Sequence, residues 1–171
     1  KSILTLAGWL AYRLTGERAS EPSLDCETGL LDVNTRQRSS TLMSQMGIPE
    51  SLLPPLSHAT ETVGRLSRPV AEAWGLEPGT PVVISGPDTQ CGLLGMGLLE
   101  VGQTGAVIGW SGSVQILTPL PCHDVAQTRT SVGCFPVDGL WVAESNMGDV
   151  GNAYRWLKET LFNGHTSYEE I

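Results

Sequence analysis

Gly79 to Gly112 reads GTPVVISGPDTQCGLLGMGLLEVGQTGAVIGWSG. It begins with an apolar, β-branched run, Pro81 to Ile84, which predicts a short buried strand. Ser85-Gly86-Pro87 breaks that run and ends on a lone carboxylate, Asp88. Thr89 to Leu99 follows at helical period, with Gly92, Gly95 and Gly97 where another element could pack closely. After a turn at Glu100 to Gln103, Thr104 to Ile108 is a second β-like run, and it ends in Gly109-Trp110-Ser111-Gly112. Strand, helix and strand in this order predict an α/β fold. In open α/β sheets ligands lie beyond the carboxyl ends of strands, so the two loops are the candidate site.

The 171 residues suffice for one or two domains with a buried core. Hydrophobic residues make up 40% and charged residues 16%, the balance of a globular protein in water. A net charge of −8 argues against nucleic acid or an anionic membrane surface, since no basic patch exists to release counterions. No apolar stretch is long enough to span a bilayer and no signal peptide is visible. Cys26, Cys91, Cys122 and Cys134 are scattered, with no CxxC, and read as reduced small hydrophobes of a cytoplasmic protein. The chain starts at Lys1 directly in a helical pattern and stops without a final element after Asn163, which predicts a piece of a longer polypeptide.

Outward from the central stretch, Ser2 to Leu14 has helical period, with Ser2 as N-cap and Thr15-Gly16 as its stop. Glu17 to Asn34 reads as a polar loop with a short strand or turn at Leu30 to Val33, and Asp25 and Glu27 as solvated acids. A second helix is expected from Thr35 to Met46, ended by Gly47-Ile48-Pro49. His58 and Glu61 lack a third ligand and read as a loop. Ser67 to Trp74 is a short helix with Pro69 in its first turn. Past Gly112, a strand to Leu117, an extended segment at Ser131 to Pro136 and a return strand at Leu140 to Glu144 flank the Asp138-Gly139 hairpin signal. A last helix, Asn152 to Leu161, is expected to turn Ala153, Trp156, Leu157 and Leu161 inward.

Asp88 has two readings. N–H groups at a helix start favour a carboxylate, and such a group can take a proton from an alcohol that attacks a phosphoryl group. Equally, Asp88 could simply cap the helix. Gly109 to Gly112 could offer backbone N–H groups to a phosphate or be a plain hairpin turn. Neither the Walker pattern nor GxGxxG is present.

Several segments together resemble the FGGY carbohydrate kinases. The second domain of that family opens with a pattern similar to Gly79-Thr80-Pro81-Val82-Val83, Ser85-Gly86-Pro87-Asp88 and Gly95-Met96-Gly97, followed by a turn in the position of Gly109 to Gly112. Trp9 to Glu17 is similar to the YRLTGE segment of its first domain, Thr28 to Arg36 to its TxLLDxxTR segment, and Ala153 to Leu157 to its ALRWL helix. The Pro22-Ser23 and Thr28 to Asp32 segments, with Asp88 and Gln90, lean toward xylulokinase-like and autoinducer-2 kinase-like members.

The resemblance implies a partial actin-like (ribonuclease H-like) ATPase fold. Residues 1–76 would be the end of the first domain and 77–171 the beginning of the second. It implies ATP-dependent phosphorylation of a sugar or polyol hydroxyl in the cytoplasm, with no nucleic-acid or membrane partner and with room for a homodimer. Asp88 falls on the general base and would also be approached by the Mg2+ of MgATP. Thr89 and Gln90 fall beside the acceptor, and Gly109, Trp110, Ser111 and Gly112 on the turn near the ATP phosphates. The sequence departs from the family at Trp110, where Thr is usual, and at Thr89, where glycerol kinase-like members carry Gln. The family's N-terminal DxGT loop has no counterpart in these residues, so this stretch alone would not turn over. The competing expectation is a degenerate, non-catalytic member that binds a sugar or a partner; a metal-dependent hydrolase built on His58, His123 and His165 is the weakest reading.

Overall fold

The computed structural model describes residues 1–162 and 165–171, and the strands among them pair antiparallel. Helix α1, Leu6–Thr15, begins at Thr5 rather than Ser2. The Thr5 hydroxyl accepts from the Gly8 N–H at 3.2 Å, while the chain before it is extended and its Ile3 N–H donates to Leu52 O at 2.8 Å. A β-hydroxyl residue at the first turn thus outcompetes the earlier serine as cap. Helix α2, Pro22–Cys26, is followed by a small ribbon in which β1, Leu31–Asp32, pairs with β2, Gln37–Arg38.

That ribbon displaces the first half of the helix expected from Thr35. Asp32 Oδ1 accepts from the Asn34 N–H at 2.9 Å, an Asx turn that reverses the chain before helix can propagate. Helix α3 is therefore only Ser40–Gln45, capped by Ser39. Strand β3, Thr62–Arg65, then helix α4, Arg68–Trp74, lead to β4, Pro81–Val83, which pairs antiparallel with β3. The expected buried strand is thus an exposed-edge ribbon: Val83 is 54% exposed and only Ile84, just past it, is buried.

Helix α5 spans Asp88–Gly95 and feeds a separate four-stranded antiparallel sheet. Its strands are β5, Thr104–Ile108, β6, Gly112–Thr118, β7, Ser131–Cys134, and β8, Trp141–Asn146, in the order β5-β6-β8-β7. The Asp138-Gly139 signal does join β7 to β8, with Gly139 at φ 75° and Cys134 opposite Trp141. Leu93 of α5 packs with Leu117, Phe135, Leu140 and Val142 in the main core, each such side chain contributing about 1.5–3 kcal/mol by burial.

Helix α6, Val150–Leu161, carries no buried residue. Of the side chains expected inward, Ala153, Trp156 and Leu161 are exposed, Trp156 at 63%, and Leu157 is only half-buried, because only the start of the helix rests on the sheet. Tyr168 stacks on Tyr154 with ring centroids 5.5 Å apart. Of the tail, Asn163 lies outside the described residues, and 165–171 contain neither helix nor strand.

Candidate functional site

Asp88 is the first residue of α5, and Pro87 occupies the N-cap position with no side-chain bond. Asp88 Oδ1 accepts from the N–H of its neighbour Thr89 at 2.7 Å, and the residue is exposed. It is therefore not the capping side chain that spacing allowed, which would reach an N–H two or three positions on. Its place is fixed from behind by Gly86: a Cβ there would run into Ser23 Oγ and lie 2.7 Å from Pro136 Cγ. Any side chain at position 86 would lift the Asp88 loop off α2.

The α2 surface it leans on is a buried polar network. Glu21 accepts from the Ser23 and Leu24 N–H groups at 3.0 and 3.1 Å and from the Ser23 hydroxyl. Asp25 accepts from Ser20 Oγ at 2.8 Å and from Arg38 Nε at 2.8 Å and Nη2 at 3.1 Å. Arg38 also donates to Pro54 O at 2.6 Å. Asp25, expected in solvent, is buried because Arg38, 13 residues on, meets it with paired donors.

Between α2, α5 and the β7–β8 edge lies a cavity of about 360 Å³, walled by Glu27, Gln90, Ser131, Gly133, Glu144 and Asn146 among others. Gln90 is 4% exposed, and its Oε1 has no hydrogen-bond partner. Burial, then the charges of Glu144 and Asp88, push the Glu27 carboxyl above its ordinary value. Glu27 and Glu144 thus share the cavity wall, with the Asp88 charge acting on Glu27. Among the described residues no cluster of three His, Cys, Asp or Glu side chains is arranged to hold a metal ion.

The second predicted loop is a hairpin turn between β5 and β6. Gly109 N–H donates to Ser111 O at 2.9 Å and Gly112 N–H to Gly148 O at 3.3 Å, so two of its four N–H groups are committed. The Trp110 carbonyl accepts from the Gly151 N–H at 2.9 Å, while Trp110 itself is 72% exposed. Gly151 permits this approach, since a Cβ there would sit 2.6 Å from Gly109 O. Along the helix, a Cβ on Gly105 would meet Leu93 and Met96, whereas one on Gly92 would meet Val107. β5 therefore runs back along α5, and the Gly109 turn lies toward the same end of α5 as Asp88. Asp88, Thr89 and Gln90 are contiguous at that end.

Residues 1–95 match the N-terminal domain of the FGGY family of carbohydrate kinases. The chain belongs to this family. It is 34% identical over 163 residues to the autoinducer-2 kinase of Escherichia coli strain K12, and 33% identical over 161 residues to that of Yersinia enterocolitica. Each alignment takes in 94% of this chain but 30% of the relative, so the chain spans about a third of the length of these FGGY kinases. Two solved xylulose kinases share the fold: one from Lactobacillus acidophilus, TM-score 0.85 at 17% identity over 95% of this chain and 33% of that one, and one from Brucella ovis, 0.83 at 23% over 94% and 33%. The mixed α/β chain thus has part of the actin-like fold of the sugar kinases.

Against this FGGY frame, Glu27, Glu144 and Asn146 on the cavity wall are residues that sequence reasoning missed. Glu27 looked like a loop acid, and nothing local ties it to a strand more than a hundred positions away. His58 and Glu61 do not form a ligand pair: Glu61 accepts from the His58 backbone N–H at 3.0 Å, and His58 Nδ1 lies 2.9 Å from Asp138. Among the described residues no helix is long and apolar enough to cross a membrane.

Proposed function

We propose that the protein containing this segment transfers the γ-phosphoryl group of MgATP to a hydroxyl of a small, uncharged polyol or sugar. The observation that carries the reading is the pairing of an exposed, backbone-anchored Asp88 with the buried, unpartnered Gln90 oxygen two residues on. The Thr89 N–H orients one carboxylate oxygen of Asp88, and the other takes the proton of the acceptor hydroxyl as its oxygen attacks the γ-phosphorus. Gln90 Oε1, Glu27 and Glu144 are acceptors for hydroxyl protons, and the charge of the glutamates repels sugar acids and sugar phosphates. The kinases named for autoinducer-2 and xylulose support an acceptor of this polyhydroxylated class.

Mg2+ enters with the nucleotide, whose phosphates approach the Gly109 to Gly112 turn. Trp110 and Ser111 carry the two N–H groups of that turn with no partner among the described residues. The division into two units at 76/77 is supported by the left-handed glycines 75 and 79 around it; it falls inside the β3–β4 ribbon and the matched span 1–95. Asp88→Asn in the intact protein should lower kcat about 10²–10⁴-fold, with the KM for ATP little changed. Near-normal sugar-dependent ADP release from a folded variant would remove Asp88 as the base.

A second reading, a non-catalytic sugar- or partner-binding member, is favoured by Trp110, whose exposed ring stands on the phosphate-facing turn. Calorimetric titration of the intact protein with MgATP separates the two. Nucleotide binding that tightens with sugar supports the kinase, and sugar binding without nucleotide binding supports the second reading.

A further inference from the structure

Cys26 and Cys134 are 108 positions apart and meet between α2 and β7. The Cys134 N–H donates to Cys26 Sγ at 3.3 Å. The hydrogen bonds pair no other two cysteines among the described residues.

The two thiols have unlike surroundings. Cys134 is fully buried, with the Val33 carbonyl 4.0 Å from its sulfur. Cys26 is half-buried and forms part of the wall of the 360 Å³ cavity. The neighbouring Cys134 side chain holds the Cys26 thiol below its ordinary value, against the opposing effect of burial. The Cys26 side chain and burial raise Cys134 above the thiol range. A thiolate stabilised on the accessible member and a proton retained on the buried one is the asymmetry of an attacking and a resolving cysteine.

We propose that Cys26 and Cys134 are an oxidant-responsive thiol pair, in which Cys26 meets a hydroperoxide from the cavity and Cys134 converts the product into a disulfide tying α2 to β7. In the first step the Cys26 thiolate attacks one peroxide oxygen. An S–O bond forms, the O–O bond breaks, and the departing hydroxide takes the proton Cys26 released and leaves as water. In the second step the Cys134 sulfur attacks the Cys26 sulfur. The S–S bond forms, the S–O bond breaks, and the Cys134 proton leaves with the hydroxyl as water. Two thiols lose two electrons, and one hydroperoxide is reduced. The bond fixes one wall of the cavity against the sheet edge and is released by excess thiol.

The test uses the intact, folded protein treated with hydrogen peroxide, blocked at its free thiols, digested without reduction and mapped by mass spectrometry. The expected product is a Cys26–Cys134 linked peptide lacking two hydrogens, abolished by dithiothreitol and formed equally in a Cys122→Ser variant. In Cys134→Ala the resolving thiol is gone, and Cys26 should accumulate as sulfenic acid, trapped by dimedone at a level about tenfold above wild type. If Cys134→Ala does not fold, the wild-type map decides alone. A Cys26 that stays reduced, or passes to sulfinic acid with no linked peptide, overturns the proposal. The readout is a mass and needs no phosphoryl transfer, so its failure is separate from failure of the kinase reading.

Discussion

Gln90 carries an unmet demand on the wall of the cavity: a buried amide oxygen with no donor against it, as at Gln115 in the sheet. Leaving such a group unpaired costs about 1–3 kcal/mol, so a residue chosen for stability alone would be apolar here. Gln90→Leu should therefore leave stability unchanged or raise it by about 1 kcal/mol, while raising the KM for the acceptor about tenfold through one lost hydrogen bond. Lower stability with unchanged KM would make Gln90 a structural residue. Glu27 gives the matching pH test. Its carboxyl is raised by burial and by Glu144 and Asp88, so the folded state holds the proton more tightly than the unfolded chain. Between the ordinary glutamate value of about 4.3 and the raised folded value the native state binds more protons, and stability falls as pH rises through that window. Thermal melts of Glu27→Gln should lack this fall, and a wild-type melting temperature that climbs relative to the variant over the same window would contradict it.

At the scale of elements, what was legible in the sequence is what is encoded within a few residues. β5 is found where alternation placed it, the Asp138-Gly139 turn closes its hairpin, and α5 starts at the breaker before Thr89. The errors have one physical origin. Thr5 replaces Ser2 because the Ile3 N–H is taken by Leu52, and Arg36 to Ser39 leave the helix because β2 pairs back on β1. β4 joins β3 rather than β5, so the ligand rule for parallel sheets does not govern Asp88; its setting is made by Gly86 against Ser23 and Pro136. Likewise α6 has a strong apolar face in sequence, but periodicity does not say whether another element lies against it. That Asp88, Thr89 and Gln90 open a helix together was readable from the breaker before them. Asp25 with Arg38, Glu27 with Glu144 and Cys26 with Cys134 were not, because each pair is made by tertiary structure.

In the whole molecule, the segment before α3 is held to the four-stranded sheet by one side chain above others. Arg36, at φ 56°, donates to Leu140 O at 3.1 Å and Phe135 O at 3.0 Å, lies 3.4 Å from Asp138, and covers the Trp141 ring at 5.7 Å. Trp141 Nε1 in turn donates to Val33 O at 2.7 Å. These contacts close the far side of the same body whose near side is the Glu27–Gln90 cavity, so the position of β7 and β8 relative to α2 depends on them. The carbonyl bonds matter most, since the Asp138 carboxylate is exposed and its pairing is screened. Arg36→Met keeps the stem but leaves the Phe135 carbonyl without a donor and Leu140 O with the Phe135 N–H alone. It should lower stability by about 2–3 kcal/mol, which is a shift of about 1 M in the urea midpoint of the intact protein. Amide exchange should quicken in 131–146 more than in α1. Asp88→Asn, which removes no such contact, should shift the midpoint by less than a quarter as much. If Arg36→Met unfolds at the wild-type midpoint, the β7–β8 hairpin is held by the Leu93–Phe135 core alone, and the Arg36 contacts are incidental to the site.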